Sequence, residues 1–330
     1  MSEHSSLVDK VGSFENLFSA FRECSKGKKS KDGYRKYLFA YGEKLKSIEY
    51  EIQKTKNFRW GGYREFFVID PKKRLVMAAP FRDRIVHTAI HRVVDPIINE
   101  LLGARTFACR KGMGNRKAAE RLLKQLKTVG PRRYCVKLDV KKYFESIPHE
   151  KLLGKVMAVL PDQSLRTILE SLIASHERYR LMRRGIPIGN LTSQLFANFY
   201  LREVDQLICE RLGISHAQDP GPEASFYIRY MDDMVIVADS KHRAFSAAHA
   251  ALDFVHTELE LEIPQYKVMI LARDPIPFLG FVHSELGYRP LRRNELKFIK
   301  KIKRLNQKGA EMSLKAQMIL SFEAWRKLEV

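Results

Sequence analysis

The sequence predicts a mixed α+β fold with an irregular order of elements. Segments with helical apolar spacing and segments with two-residue alternation follow one another without the strand–helix repeat of a doubly wound sheet. Of the 330 residues, 45% are hydrophobic and 10% aromatic, enough to bury a real core. There is no phosphate-binding P-loop, and Gly112-Met113-Gly114 lacks the spacing of a dinucleotide fingerprint.

The first expected elements are helices between Ser13 and about Gln53. Phe14, Leu17, Phe18 and Phe21 form one apolar stripe, and Tyr37, Leu38, Tyr41, Leu45 and Ile48 another. A basic, glycine-containing loop from Lys26 to Gly33 separates them. Residues 66–77 read as two short strands around a turn at Asp70-Pro71. Ile85, Val86, Ala89, Ile90, Val93 and Val94 then recur at helical spacing, with Pro96 expected to end or kink that helix.

Residues 134–140 alternate like a half-buried strand. Tyr134, Val136, Leu138 and Val140 share one face, leaving Lys137 and Asp139 on the other. A single helix is expected from Leu191 to Leu212. Residues 226–239 read as strand, turn, strand, with Met231, Asp232 and Asp233 at the turn. After Pro290 comes a basic helical tail. Leu296, Ile299, Ile302 and Leu305 are expected to face inward, and Lys297, Lys301, Arg304 and Lys308 line another face.

Charge narrows the function. Lys and Arg number 59 against 38 Asp and Glu, a net charge of +21. A folded chain that basic implies an anionic partner, nucleic acid first and an acidic membrane surface second. Nine Lys and Arg against one acid fall between Arg289 and Lys308, as expected of a helix lying along phosphates. The polar start resembles neither a signal nor a transit peptide, and no apolar run approaches the roughly 18–20 residues of a membrane span. Cys24, Cys109, Cys135 and Cys209 are far apart and include no C-x-x-C pair. They are expected to be reduced, mostly buried thiols of a cytoplasmic protein. His87 and His91 have a metal-ligand spacing, but Thr88 stands where a zincin needs Glu, so no metal role is expected there.

The chemistry is expected at carboxylates. Asp232 and Asp233 adjoin at a hairpin turn, a placement Asp favours for conformational reasons alone. Asp139 ends another apolar strand, and the three together would form a cluster that needs cations. Hard divalent ions with oxygen ligands suit it, Mg²⁺ above all, with Mn²⁺ as a substitute. Two such ions about 3.5–4 Å apart form the clamp used for in-line attack on a phosphate.

Asp139-Val140-Lys141-Lys142-Tyr143-Phe144 and Tyr230-Met231-Asp232-Asp233 resemble, in order, the two catalytic motifs of reverse transcriptases. Lys72-Lys73-Arg74 resembles the family's basic triphosphate-holding motif. Residues 81–86 and Ala108-Cys109-Arg110-Lys111-Gly112 resemble further blocks, and Phe278-Leu279-Gly280 resembles the primer grip. Lys267 stands where the family has a basic residue after the Asp-Asp hairpin. Ile188-Gly189-Asn190-Leu191-Thr192-Ser193-Gln194 is similar to the enzymes of diversity-generating retroelements, where most of the family has Gln first and Ser-Pro last. Gly61-Gly62-Tyr63-Arg64-Glu65-Phe66 looks like that group too.

The resemblance implies a right-hand polymerase. Residues 1–54 would be a helical extension, 55–280 interleaved fingers and palm, and 281–330 a short helical thumb. It implies an enzyme that copies a template-repeat RNA into cDNA, with errors at template adenines, to diversify a target gene. The implied partners are template RNA, the RNA/cDNA duplex, dNTPs and a small basic helical accessory protein, with no membrane. Asp139, Asp232 and Asp233 would be the catalytic and metal residues, with Asp233 the least essential. Lys72, Arg74, Phe144, Ile188, Gly189, Gln194 and Lys267 would meet the dNTP, with Phe144 gating its sugar. Arg110, Phe278, Leu279, Gly280, Lys297, Lys301, Arg304 and Lys308 would meet template and primer. Isoleucine at 188 either relaxes base selection, by removing a hydrogen bond that Gln could make, or simply packs. Two other readings stand beside this one: a reverse transcriptase of anti-phage defence copying a noncoding RNA, and a non-catalytic RNA-binding scaffold. No stretch is left for a ribonuclease H, endonuclease or integrase domain, so those steps are expected from elsewhere.

Overall fold

The computed structural model describes residues 6–328 except 29, 70–72, 130, 131, 219, 220, 222, 265, 267, 308 and 310. The expected roles of Lys72, Lys267 and Lys308, and the turn at Asp70-Pro71, lie outside the described residues. In chain order the first elements are α1 (Leu7–Gly12), α2 (Phe14–Ser25), α3 (Asp32–Leu38), α4 (Tyr41–Gln53), β1 (Arg64–Ile69), β2 (Lys73–Ala78) and α5 (Phe81–Leu101). Then come α6 (Asn115–Val129), β3 (Tyr134–Asp139), α7 (Tyr143–Ser146), α8 (His149–Val159), α9 (Gln163–Ile173), α10 (Glu177–Met182), α11 (Leu191–Tyr200) and α12 (Arg202–Leu212). The chain continues through β4 (Phe226–Tyr230), β5 (Asp233–Ala238), α13 (Lys241–Thr257), β6 (Val268–Ile270), β7 (Ile276–Phe278), β8 (Phe281–Ser284) and β9 (Gly287–Pro290). It closes with α14 (Arg292–Gln307) and α15 (Met312–Arg326). No described helix is long and apolar enough to cross a membrane.

The chain forms two compact units. One comprises Met1–Leu102, Lys141–Arg202 and His256–Glu262, the other Gly103–Val140, Glu203–Val255 and Ile263–Val330.

The first unit is helical and centred on α5, which packs against α1, α2, α3 and α11. Local chemistry sets its helix ends. Ser13 caps α2 by accepting the Asn16 N–H, and the Asp162 carboxylate accepts the Ser164 and Leu165 N–H groups at the start of α9. The expected stripe from Tyr37 to Ile48 is split into two helices. Ala40 takes a positive φ of 60°, and Lys44 Nζ donates to the carbonyls of Lys36 (2.6 Å) and Phe39 (2.7 Å). The lysine thus satisfies carbonyls that a continuous helix would have used itself. Pro96 lies inside α5 and does not end it, since one missing N–H is outweighed by burial of Val94 and Ile98 on either side.

β1 and β2 form a two-stranded antiparallel ribbon in this unit, with Arg74 opposite Val68. Its base is held by polar contacts. Asn190 donates to the Tyr63 hydroxyl (2.9 Å), which lies 2.8 Å from the Ser175 hydroxyl, and the Met77 N–H donates to the Ile188 carbonyl (2.8 Å).

The second unit is built on a four-stranded antiparallel sheet in the order β4-β5-β3-β6. Ala118, Leu122 and Leu126 of α6 pack with Cys135, Ile228 and Val235 of the sheet in one core cluster. β3 has the expected alternation, yet Cys135 on its second face is buried too, and the strand ends at Asp139 rather than Val140. A second, three-stranded sheet runs β7-β8-β9.

Two expectations fail in helical segments. The helix expected over 191–212 is two helices, α11 and α12, broken at Leu201, two residues before the chain enters the second unit at Glu203. α11 is buried from Leu195 to Tyr200 on every side, so its apolar pattern carries no mark of where it stops. The apolar stripe of α14 is inward only in part: Leu296 is 46% and Ile299 48% exposed, Ile302 and Leu305 are half-buried, and no residue of α14 is fully buried. Phe298 alone finds a close ring partner, stacking on Phe322 of α15 at 3.9 Å between centroids. The thiols are free as expected, with Cys135 and Cys209 buried, Cys24 half-buried and Cys109 exposed.

Candidate active site

The second unit brings the three aspartates to one end of its sheet. β4 and β5 form a tight hairpin with Tyr230 paired to Asp233, leaving Met231 and Asp232 as its two-residue loop. Asp233 is therefore the first residue of β5 rather than part of the turn. Across the next ladder it pairs with Asp139, the last residue of β3. Met231 takes a positive φ of 58° at the first loop position, where such hairpins usually use glycine.

A buried guanidinium holds that conformation. Arg229 Nη1 donates to the Met231 carbonyl at 2.9 Å, while Nε and Nη2 reach the two carboxylate oxygens of Asp205 at 2.6 Å each. Asp205 also accepts from the Tyr227 hydroxyl (2.6 Å) and the Thr106 hydroxyl (2.9 Å). Both charged side chains are fully buried, so the pair is neutral as a unit and rich in hydrogen bonds. Burial and the Asp205 charge push the Tyr227 phenol well above its ordinary range.

The aspartates differ in environment. Asp232 is pushed up to about 7, first by burial and then by the charge of Asp139. Two carboxylates so close need a shared proton or a cation. An all-oxygen donor pair in a half-buried setting fits a hard divalent cation such as Mg²⁺ or Mn²⁺. Asp233 is turned to another partner: Lys137 Nζ lies 3.1 Å from its carboxylate. Among the described residues, no three acidic, histidine or cysteine side chains converge on one point as a ready-made metal cage.

The Phe278-Leu279-Gly280 segment forms the β7–β8 turn in the same unit. Leu279 and Gly280 both have positive φ, 48° and 91°, as a two-residue hairpin loop of this type requires. A Cβ on Gly280 would meet Asn294 Nδ2 at 3.0 Å and Trp325 at 3.1 Å, so the turn sits tightly on α14 and α15. Phe278 itself is buried in the core. Arg110 donates to the carbonyls of Gly103 (2.6 Å) and Thr106 (2.9 Å), bracing its own loop. Lys297, Lys301 and Arg304 stand exposed on α14.

The remaining expected residues belong to the first unit. Arg74 is exposed on β2. Phe144 is half-buried in α7 with its ring edge-on to Tyr143, and the Ile186 N–H donates to its carbonyl. Ile188 and Gln194 are half-buried. Gly189 has φ +123°, and a Cβ there would lie 3.0 Å from the Met77 carbonyl oxygen, so only glycine fits against β2. His87 is buried, its Nδ1 lies 2.7 Å from the Thr192 hydroxyl, and burial lowers it to about 3.

Arg229 and Asp205 are not among the expected site residues, and Lys137 was expected only to share a strand face with Asp139. A charged residue inside the apolar run of β4 was the available signal for Arg229, because an arginine there must find a buried acid.

Residues 68–283 match the family described as reverse transcriptase (RNA-dependent DNA polymerase). Among curated proteins, the group II intron-encoded protein LtrA of Lactococcus lactis subsp. cremoris is 23% identical over 81% of this chain and 53% of its own length. An uncharacterized 91 kDa protein in the cob intron of Schizosaccharomyces pombe is 27% identical over 42% of this chain and 17% of its own. The chain thus spans about half or less of these relatives. Among solved structures, apo telomerase from Candida tropicalis truncated from its C-terminal domain superposes with a TM-score of 0.51. That likeness covers 70% of this chain and 55% of that one at 11% identity, and it is a likeness of fold alone. With most of its length matched in sequence and its mixed fold shared, this chain belongs to the reverse transcriptase (RNA-dependent DNA polymerase) family.

Proposed function

We propose that this chain is an RNA-directed DNA polymerase whose reaction centre is the Asp139–Asp232 pair. The observation that carries the reading is the convergence of the aspartates at one end of the sheet: Asp139 pairs with Asp233 across the β3–β5 ladder, and Asp232 precedes Asp233 in the hairpin loop. Divalent cations bound there would supply the chemistry, one activating the attacking 3′-hydroxyl and the other stabilising the departing pyrophosphate. Asp139 and Asp232 would hold them. Arg229 fixes where Asp232 stands, by fixing the Met231 carbonyl one residue before it.

The remaining roles follow the same reading. Arg74 with Lys72 holds the triphosphate, and Phe144 screens the sugar for a 2′-hydroxyl. Ile188, Gly189 and Gln194 lie along the nascent pair, and Lys267 serves the pyrophosphate side. The Phe278-Leu279-Gly280 turn steadies the primer. Lys297, Lys301, Arg304 and Lys308 follow duplex phosphates, whose contacts are sequence-independent. Residues 1–54 act as a helical extension, 55–280 as fingers and palm, and 281–330 as thumb. Their net charge supports nucleic acid as the partner.

The motif at 188–194 supports a finer assignment, to diversity-generating retroelements. On that reading the template is a repeat RNA copied with errors at adenines, with a small basic accessory protein alongside. Primer extension on an RNA template with Mg²⁺ and dNTPs tests the polymerase reading. Sequencing the RNA that co-purifies with the protein, and the cDNA made from it, tests the finer one. A repeat RNA with adenine-directed changes supports it; a faithful copy of an unrelated noncoding RNA overturns it.

A further inference from the structure

β3 carries Lys137 two residues before Asp139, so both side chains leave the same face of the strand. Lys137 Nζ lies 3.1 Å from the Asp233 carboxylate and donates to the Pro277 carbonyl at 2.6 Å. It also sits 5.9 Å from the centre of the Phe278 ring. Asp233 has carboxylates on two sides, Asp139 across the ladder and Asp232 before it in sequence. Three acids at one sheet end repel one another, and a fixed ammonium beside one of them offsets that field. The lysine is held as well as attracted, because its second bond goes to a backbone carbonyl in another sheet of the same unit.

We propose that Lys137 is a positioning residue, a built-in cation that holds Asp233 out of the metal site and ties the carboxylate hairpin to the β7–β8 turn. The inference rests on the reading of Asp139 and Asp232 as a divalent-cation site. It gives the site a definite character. Magnesium in phosphate-transfer enzymes is usually bound by one or two carboxylates, with substrate phosphates completing the shell. A third ligating carboxylate would raise affinity for the free ion and load the site without nucleotide. Pairing Asp233 with Lys137 leaves two ligands, so that metal occupancy depends on the oxygens the triphosphate brings. The bond to Pro277 carries the same lysine to the turn that steadies the primer, so one side chain braces both.

The test is a titration of the full chain with Mn²⁺ alone, read by the EPR signal of the free ion, with no nucleotide or nucleic acid present. Lys137→Met is expected to bind Mn²⁺ about tenfold tighter than wild type, because the released Asp233 carboxylate joins the site. That gain is expected to vanish in Lys137→Met/Asp233→Asn, and Asp233→Asn alone should stay within about twofold of wild type, since Asp233 is not a ligand. Unchanged or weaker binding by folded Lys137→Met would overturn the proposal. So would a gain that survives in the double variant, or a tenfold loss in Asp233→Asn. Should Lys137→Met fail to fold, Lys137→Gln keeps a donor for Pro277 and carries the same expectation, and the Asp233→Asn arm needs no lysine variant. Asp232→Asn separates the two levels. If it binds Mn²⁺ as wild type does, the metal-site reading itself fails. If it loses binding while Lys137→Met is unchanged, only the role of Lys137 falls.

Discussion

Arg229 and Asp205 meet through two parallel hydrogen bonds of 2.6 Å, with neither side chain exposed to solvent. The third face of the guanidinium holds the Met231 carbonyl, so the position of Asp232 depends on a pair that lies beneath it. Removing one partner leaves the other charged, buried and alone, at a cost of about 3–5 kcal/mol. Asp205→Leu is therefore expected to lower the urea midpoint sharply. Asp205→Leu/Arg229→Met should be no worse than the single variant, because it leaves no orphaned charge. A double variant that loses the sum of two large penalties would show that the pair does not act as a unit.

A second expectation concerns pH. His87 is held neutral by burial, lowered from 6.5 to about 3. Folding therefore favours its deprotonated form. Its contribution is fully present above the unfolded value and is lost as pH falls from 6.5 towards 3. The slope is about 1.4 kcal/mol per pH unit for one such group. Urea unfolding at pH 7.5 and pH 5.0 should show a loss in wild type that is smaller in His87→Asn, whose amide can still meet Thr192. Equal losses in both proteins would count against it.

The exposed face of α14 sets a salt expectation. Each phosphate contact releases counterions and contributes about 0.9 to the slope of log affinity against log salt. Lys297→Gln/Lys301→Gln/Arg304→Gln should weaken template–primer binding at low salt and flatten that slope by about 2–3. An unchanged slope would place the duplex elsewhere.

Ile188 tests base selection. Its carbonyl is taken by the Met77 N–H, a backbone bond that a side-chain exchange leaves in place. Ile188→Gln restores an amide worth about 0.5–1.5 kcal/mol, so the error rate in sequenced cDNA should fall about three- to tenfold. An unchanged rate would mean that the isoleucine only packs.

The parts of the site that were legible in the sequence are those where chemistry overrides local economy. Two adjacent aspartates between apolar strands and a third acid ending another strand have few purely structural uses in combination. Asp139 and Asp232 were readable for that reason. Lys137 and Arg229 were not, because their partners, Asp233 and Asp205, lie 96 and 24 positions away in sequence and meet them only through the ladder and the fold. The same distinction holds for the scaffold. β3, β4 and β5 follow a two-residue alternation or a short apolar run bounded by turns. The break at Leu201 does not show, since α11 is buried all round. In α14 the apolar period is present but its direction is not, since spacing alone says nothing about what covers a face.

The central claim is that Asp232 carries chemistry rather than fold or binding. The direct measurement is single-turnover extension of a DNA primer on an RNA template with Mg²⁺, comparing wild type with Asp232→Ala, with template–primer affinity measured on the same samples. Loss of extension by at least about a thousandfold, with affinity within about threefold of wild type, is the expected result for a residue acting at the reacting phosphate. Equal extension by both proteins would contradict the claim.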